Sequence, residues 1–218
     1  MILPFILSRL VFKSLREPLY RSSFKERFGF FKRKDSVRDC IWIHAVSVGE
    51  AVAAYPLINN LANRDLDCIV TTTTPAGKER VQQLLGNKVQ TSFVPLDFKG
   101  AIRRFISSNK PKALIISETE LWPIMISECQ TKKIKIFLVN GRMSEKSFKR
   151  YKSVLPIFKN VFSKFDFVIC QGEDDLKRFV DLGVNGTKIK EDFSFKFDSI
   201  ETGHEKSSSI KNTKKDFK

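Results

Sequence analysis

The 218-residue chain has four cysteines and two histidines, and neither set is spaced for a metal. Cys40, Cys68, Cys129 and Cys170 are scattered with no CxxC pair. That excludes zinc ribbons and redox motifs, and suits small core residues of a reducing compartment rather than disulfide partners. His44 and His204 lie too far apart, and too poorly accompanied, to ligate together; His44 is expected to pack or hydrogen-bond at a strand. No GxGxxG and no GxxxxGK[ST] occurs, so neither a dinucleotide fingerprint nor a P-loop is supported. RNP, KH, zinc-finger and recognition-helix patterns are missing, and no nucleic acid partner is expected. No apolar run reaches the roughly 20 residues that span a bilayer, and the start of the chain lacks a signal peptide's basic region and small-residue cleavage site.

What is abundant is positive charge. Thirty-nine basic residues oppose 24 acidic ones, a net charge of +15, which calls for a polyanionic partner or surface. Residues 1–34 alone hold nine basic side chains against Glu17 and Glu26. The apolar opening Met1-Ile2-Leu3-Pro4-Phe5-Ile6-Leu7 and Leu10-Val11-Phe12 is interleaved with Arg9 and Lys13. Such an apolar face with a basic collar suits a helix lying in an anionic membrane surface, each nearby cation contributing about 1 kcal/mol. The competing reading is an ordinary docking helix with a solvated charged face. The expected organisation is a membrane-associating segment at 1–34, one Rossmann-like domain at 35–200, and a disordered polar tail at 201–218.

Between these ends, short apolar runs alternate with helix-period stretches, as in a doubly wound α/β domain with a parallel sheet. Strands are predicted over Ile41–Val46, Cys68–Thr72, Val89–Val94, Ala113–Ser117, Ile134–Val139 and Phe167–Cys170. Helices are predicted over Glu50–Leu61, Ala76–Leu85, Lys99–Ser107, Pro123–Gln130, Glu145–Phe162 and Glu173–Leu182. Thr74-Pro75 offers an N-cap and a first-turn proline, Ser144 a cap, and Gly86 and Gly183 stand where left-handed C-caps belong. Further on, Phe193, Phe195 and Phe197 alternate, which as a strand would turn Lys196 away from the aromatic face.

The loops after the strands form one edge of such a sheet. They carry Ser47 to Glu50, Thr71 to Thr74, Asp97, Glu118 to Glu120, Asn140 to Arg142 and Gln171. Glu50 stands where parallel sheets present ligands. Ser47-Val48-Gly49-Glu50 is also a capping box, with Val46 and Ala51 as its staple pair. Trp122-Pro123 reads as helix-start packing or as a stacking surface for substrate. Arg142 reads as a binder of phosphate or carboxylate, or as half of a structural ion pair.

Four pieces in order resemble one family: Trp42-Ile43-His44-Ala45-Val46-Ser47-Val48-Gly49-Glu50, Thr71-Thr72-Thr73-Thr74-Pro75-Ala76-Gly77, Glu118-Thr119-Glu120-Leu121-Trp122-Pro123 and Asn140-Gly141-Arg142-Met143-Ser144. With Glu26-Arg27-Phe28-Gly29-Phe30 and Ser194-Phe195-Lys196-Phe197-Asp198, they look like the N-terminal domain of 3-deoxy-D-manno-octulosonic acid (Kdo) transferases. The resemblance implies the N-terminal half of a GT-B glycosyltransferase at the cytoplasmic face of an inner membrane, working in lipopolysaccharide core biosynthesis. It implies a lipid A precursor as acceptor, CMP-Kdo as donor, and no cofactor or metal. By position, Glu50 matches the proton acceptor, and Glu118 and Lys196 match residues that support the transition state.

The chain departs from the family in stopping at Lys218, without the C-terminal domain that binds CMP, and in carrying Phe193 where a glycine is usual. Its apolar opening is also shorter than is usual there, which favours a surface helix over a spanning one. The alternative to half of an enzyme is a non-catalytic fragment that binds anionic lipid.

Overall fold

The computed structural model describes residues 24–31, 40–64, 66–153 and 161–192. A one-turn helix, α1 (Phe24–Arg27), precedes β1 (Cys40–His44), α2 (Val48–Asn63), β2 (Asp67–Thr72), α3 (Pro75–Leu85), β3 (Gln90–Phe93) and α4 (Lys99–Asn109). There follow β4 (Pro111–Ser117), α5 (Pro123–Thr131), β5 (Lys135–Gly141), α6 (Glu145–Ser153), β6 (Phe167–Cys170), α7 (Glu173–Asp181) and β7 (Ile189–Glu191). The strands form one seven-stranded sheet in the order β3-β2-β1-β4-β5-β6-β7, every pair parallel. The six predicted strands are all present. β7, a seventh that hydrophobic periodicity did not reveal, is only three residues long and sits at the edge. Lys196, the alternating phenylalanines, the apolar opening, the tail and residues 154–160 of the long fifth predicted helix lie outside the described residues.

Side-chain alternation along the strands sorts the core into two layers. Trp42, Leu114, Ile116, Ile136 and Leu138 pack under α4, α5 and α7, with the Trp42 and Phe105 rings 4.5 Å apart. Ile43, Val70, Ile115 and Val139 pack under α2 and α3. Strands buried on both faces read as continuous apolar runs, which is why they were visible in the sequence. Among the described residues, no helix is long and apolar enough to cross a membrane.

The Glu26-Arg27-Phe28-Gly29-Phe30 motif is a clamp across the sheet's carboxyl edge. The Glu26 carboxylate accepts from Lys78 Nζ at 2.8 Å, Phe93 N at 2.7 Å and Ser92 Oγ at 3.3 Å. Arg27 Nη2 donates to Thr73 O at 2.7 Å, and Leu96 N donates to Arg27 O at 2.7 Å. Gly29, at φ +84°, lies against the Ala101 carbonyl of α4, and any Cβ there would collide with that backbone. Arg104 donates to Phe28 O and covers the Phe30 ring at 4.1 Å. Gly29→Ala is therefore expected to cost about 2–3 kcal/mol, combining left-handed backbone strain with overpacking. Urea unfolding of the two proteins measures it, and an unchanged midpoint would refute the close approach.

Candidate active site

In an open parallel sheet, ligands bind beyond the carboxyl ends of the strands where the strand order reverses. Here that point lies between β1 and β4. Two loops meet at it, Ala45 to Ser47 after β1 and Glu118 to Trp122 after β4.

The first loop carries Glu50. Ser47 is the N-cap of α2, its hydroxyl accepting from Glu50 N at 3.2 Å. In return Val46 N donates to Glu50 Oε2 at 2.7 Å. The capping box is thus complete in both directions. The Glu50 residue is nonetheless only 6% exposed, while Ser47, Val48 and Gly49 stand exposed beside it. Burial raises the carboxyl to about 7, against the lowering effect of the Val46 amide and Ser47 hydroxyl and with help from the negative charges of Glu118 and Glu120. A carboxylate poised near neutrality is what proton abstraction from a hydroxyl calls for.

The threonine run braces that loop. Thr73 donates to Val46 O through both its amide, at 3.2 Å, and its hydroxyl, at 2.8 Å. Thr74 caps α3 through Gly77 N at 3.1 Å. Thr71 Oγ1 accepts from the Trp42 indole at 2.8 Å and stands 3.1 Å from His44 Nδ1. The Thr71 hydroxyl also lies within hydrogen-bond reach of Ile43 O, at 3.3 Å. His44 is fully buried, and desolvation, set against a backbone hydrogen bond to Thr71, lowers it to about 4. It is a neutral core residue, as the sequence suggested, with its Nε2 left unpartnered.

The second loop turns through Glu118, which adopts φ +59°, its amide donating to Val139 O at 2.9 Å. A left-handed glutamate is strained, and such strain clusters where function holds a side chain in place. Two residues on, burial raises the Glu120 carboxyl, opposed by a hydrogen bond from Trp122 and assisted by Glu118. The Trp122 ring meets His44 edge-on at 5.4 Å, so its structural role is packing across the β1–β4 seam.

The structure brings Glu50 and Glu118 to the same switch point. Sequence reasoning left Glu120 without a role; the Glu-x-Glu spacing after a strand was the signal for it. Asp97 proves to be a cap, accepting from Met125 N at 2.7 Å and Ile124 N at 3.2 Å across the start of α5. That explains how α5 starts at Pro123 although its N-cap residue, Trp122, supplies no side-chain cap. Lys196 is not among the described residues.

A doubly wound parallel sheet with its carboxylates gathered at the switch point defines this chain as one Rossmann-like half of a GT-B fold. The architecture is similar to UDP-GlcNAc 2-epimerase from Neisseria meningitidis, with a TM-score of 0.57 at 13% identity over 80% of this chain and 52% of that one. The chain belongs to the 3-deoxy-D-manno-octulosonic-acid transferase (kdotransferase) family, whose pattern residues 22–199 match. It is 34% identical over 198 residues to the 3-deoxy-D-manno-octulosonic acid transferase of Haemophilus influenzae, covering 89% of this chain and 46% of that protein. It is 40% identical over 169 residues to a probable mitochondrial counterpart from Arabidopsis thaliana, covering 76% of this chain and 38% of that one. The chain thus spans less than half the length of these relatives.

Proposed function

We propose that this chain forms the acceptor-binding half of an enzyme that transfers Kdo from CMP-Kdo to a lipid A precursor, with Glu50 as the general base. The observation that carries this reading is a buried carboxylate at the β1/β4 switch point with its proton affinity raised to about 7. A sugar hydroxyl of the acceptor enters past the exposed Ser47-Val48-Gly49 turn and hydrogen-bonds to Glu50. As its oxygen forms the new bond to the anomeric carbon of Kdo, the bond from that carbon to the phosphate of CMP breaks. Glu50 takes the hydroxyl proton, and the electron pair of the broken bond leaves on CMP.

Glu118, held beside the same point, supports positive charge on the oxocarbenium-like carbon, and Lys196 offsets negative charge on the departing phosphate. The CMP moiety is held by a second nucleotide-binding domain, and no resident cofactor or metal takes part. The basic N-terminal segment keeps the site at the anionic cytoplasmic face of the inner membrane, where the lipid acceptor resides.

The test is transfer of labelled Kdo from CMP-Kdo to the lipid A precursor by the complete two-domain enzyme containing this chain. Formation of a Kdo-bearing glycolipid is expected. No product at saturating donor and acceptor would remove the reading and leave the non-catalytic lipid-binding fragment.

A further inference from the structure

The loop between β5 and α6 is hydrogen-bonded along its backbone to neighbouring elements although Arg142 and Ser144 in it are exposed. Thr119 Oγ1 accepts from Arg142 N at 3.1 Å and donates to Arg142 O. Asp175 Oδ1 accepts from Met143 N at 2.7 Å, and Arg178 Nη1 donates to Met143 O at 2.8 Å. Asn140, at φ +55°, accepts from Gln171 Nε2 at its side-chain oxygen, at 2.8 Å. Contacts from three neighbouring loops and helices thus hold the backbone of Arg142 and Met143 and the side chain of Asn140. At the centre of this frame the Arg142 side chain is exposed, and its guanidinium makes no ion pair, hydrogen bond or ring contact among the described residues. The alternative of a structural ion pair is therefore not realised there.

Arg142 lines a groove of about 570 Å³ together with Met143, Ser144, Asp174 and Arg178. None of the acids at this groove pairs with Arg142. Glu173 is paired with Lys177 at 2.8 Å, Asp174 lies 4.0 Å from Arg178, and Asp175 holds the Met143 amide. Arg142 is the cation left over. Its anchor, Thr119, immediately follows Glu118, so the groove adjoins the switch point and opens on the same edge of the sheet. A guanidinium presents a planar fork of donors that matches an oxyanion two bonds at a time, and a fixed backbone lowers the entropy lost when it does so.

We propose that Arg142 is a substrate-positioning residue that binds a phosphate monoester of the glycolipid acceptor, setting the distance between that phosphate and the hydroxyl presented to Glu50. This rests on the proposed function for the identity of the acceptor, but not on catalysis. Arg142 touches no reacting bond; it selects and orients. An oxyanion could also come from the donor, through its sugar carboxylate or its phosphodiester, and the experiment separates the two sources.

The test is equilibrium binding to the complete enzyme of a phosphorylated glucosamine-disaccharide lipid, of its enzymatically dephosphorylated form, and of CMP-Kdo. These titrations are run for the wild type, Arg142→Ala, Arg142→Lys and, as a control, Glu50→Gln. The wild type is expected to bind the phosphorylated lipid at least about tenfold more tightly than the dephosphorylated one, as a charge-assisted bidentate contact allows. Arg142→Ala should abolish that preference, and Arg142→Lys should restore part of it. Affinity for CMP-Kdo should not change. Glu50→Gln should keep the preference even if all transfer is lost, so loss of catalysis and loss of phosphate recognition are read separately. Because the side chain is exposed, the melting temperature of Arg142→Ala should match the wild type. Three results would overturn the assignment: a preference that survives in Arg142→Ala, no preference in the wild type, or a loss confined to CMP-Kdo binding.

Discussion

Replacing Glu50 with glutamine is expected to lower kcat of the complete enzyme by about 10²–10⁴-fold, the range that a positioned general base contributes. The fold should survive, because a glutamine at this position still accepts from Val46 N and so preserves the capping box. Stability should in fact change in the opposite sense to activity. Glu50 has its carboxyl raised from 4.5 to about 7 in the folded chain. The native state therefore holds this proton more tightly than the unfolded state does. Its contribution is fully present below pH 4.5 and is lost as the pH rises through 7.

At pH 8 the wild type carries a buried charge that the glutamine variant lacks, and the variant should be more stable by about 1–3 kcal/mol. At pH 4.5 and below the two should converge. His44, lowered to about 4, gives stability of the opposite slope, but it is common to both proteins and cancels in the difference. Thermal melts across this range, with kcat measured alongside, make the comparison. Full activity in Glu50→Gln, or a pH-independent stability difference, would return Glu50 to a structural cap. In the wild type, kcat/KM should fall about tenfold per pH unit below pH 7 as the base becomes protonated.

Glu118 gives the second large effect. Glu118→Gly should lower kcat by about 10²-fold, in the range seen when one group that stabilises transition-state charge is removed. The same change should stabilise the fold by about 0.5–1 kcal/mol, because glycine adopts a left-handed conformation without the Cβ penalty that a glutamate at φ +59° carries. Glu118→Gln separates the two consequences: it should lose activity similarly and gain no stability. Removing the charge of Glu118 also removes one influence that raises Glu50, so the acid limb of the residual activity should move to lower pH. A Glu118→Gly enzyme with wild-type turnover would show that the left-handed turn, rather than the carboxylate, is what the position supplies.

Much of this arrangement was legible before any coordinates. Ser47-Val48-Gly49-Glu50 was readable as a cap or as a base, and the structure shows that the capping geometry and a raised proton affinity coexist in one side chain. The reason is that a capping box satisfies hydrogen bonds locally, whereas the proton affinity depends on what surrounds the carboxylate from elsewhere. Glu120 and Asp97 illustrate what was not legible. One gains its surroundings from Trp122 and Glu118, and the other caps a helix 27 residues away. No local pattern encodes a cap that arrives across the sheet. Arg142 was an open choice between an anion site and an ion pair, and only the positions of every neighbouring acid could decide it.

The alternation of strands and helices, the capping residues, the identity of the loops at the sheet's carboxyl edge and the excess of positive charge are all written in the order of the amino acids. These follow from apolar periodicity, backbone preference and composition, which act over a few residues at a time. The tertiary structure decided which of those loops meet. The strand order places β1 beside β4, so Glu50 and Glu118 come to the same switch point although they are 68 positions apart in the chain. It decided which carboxylates are buried and which are paired, because desolvation and charge proximity are properties of packing and not of spacing along the chain.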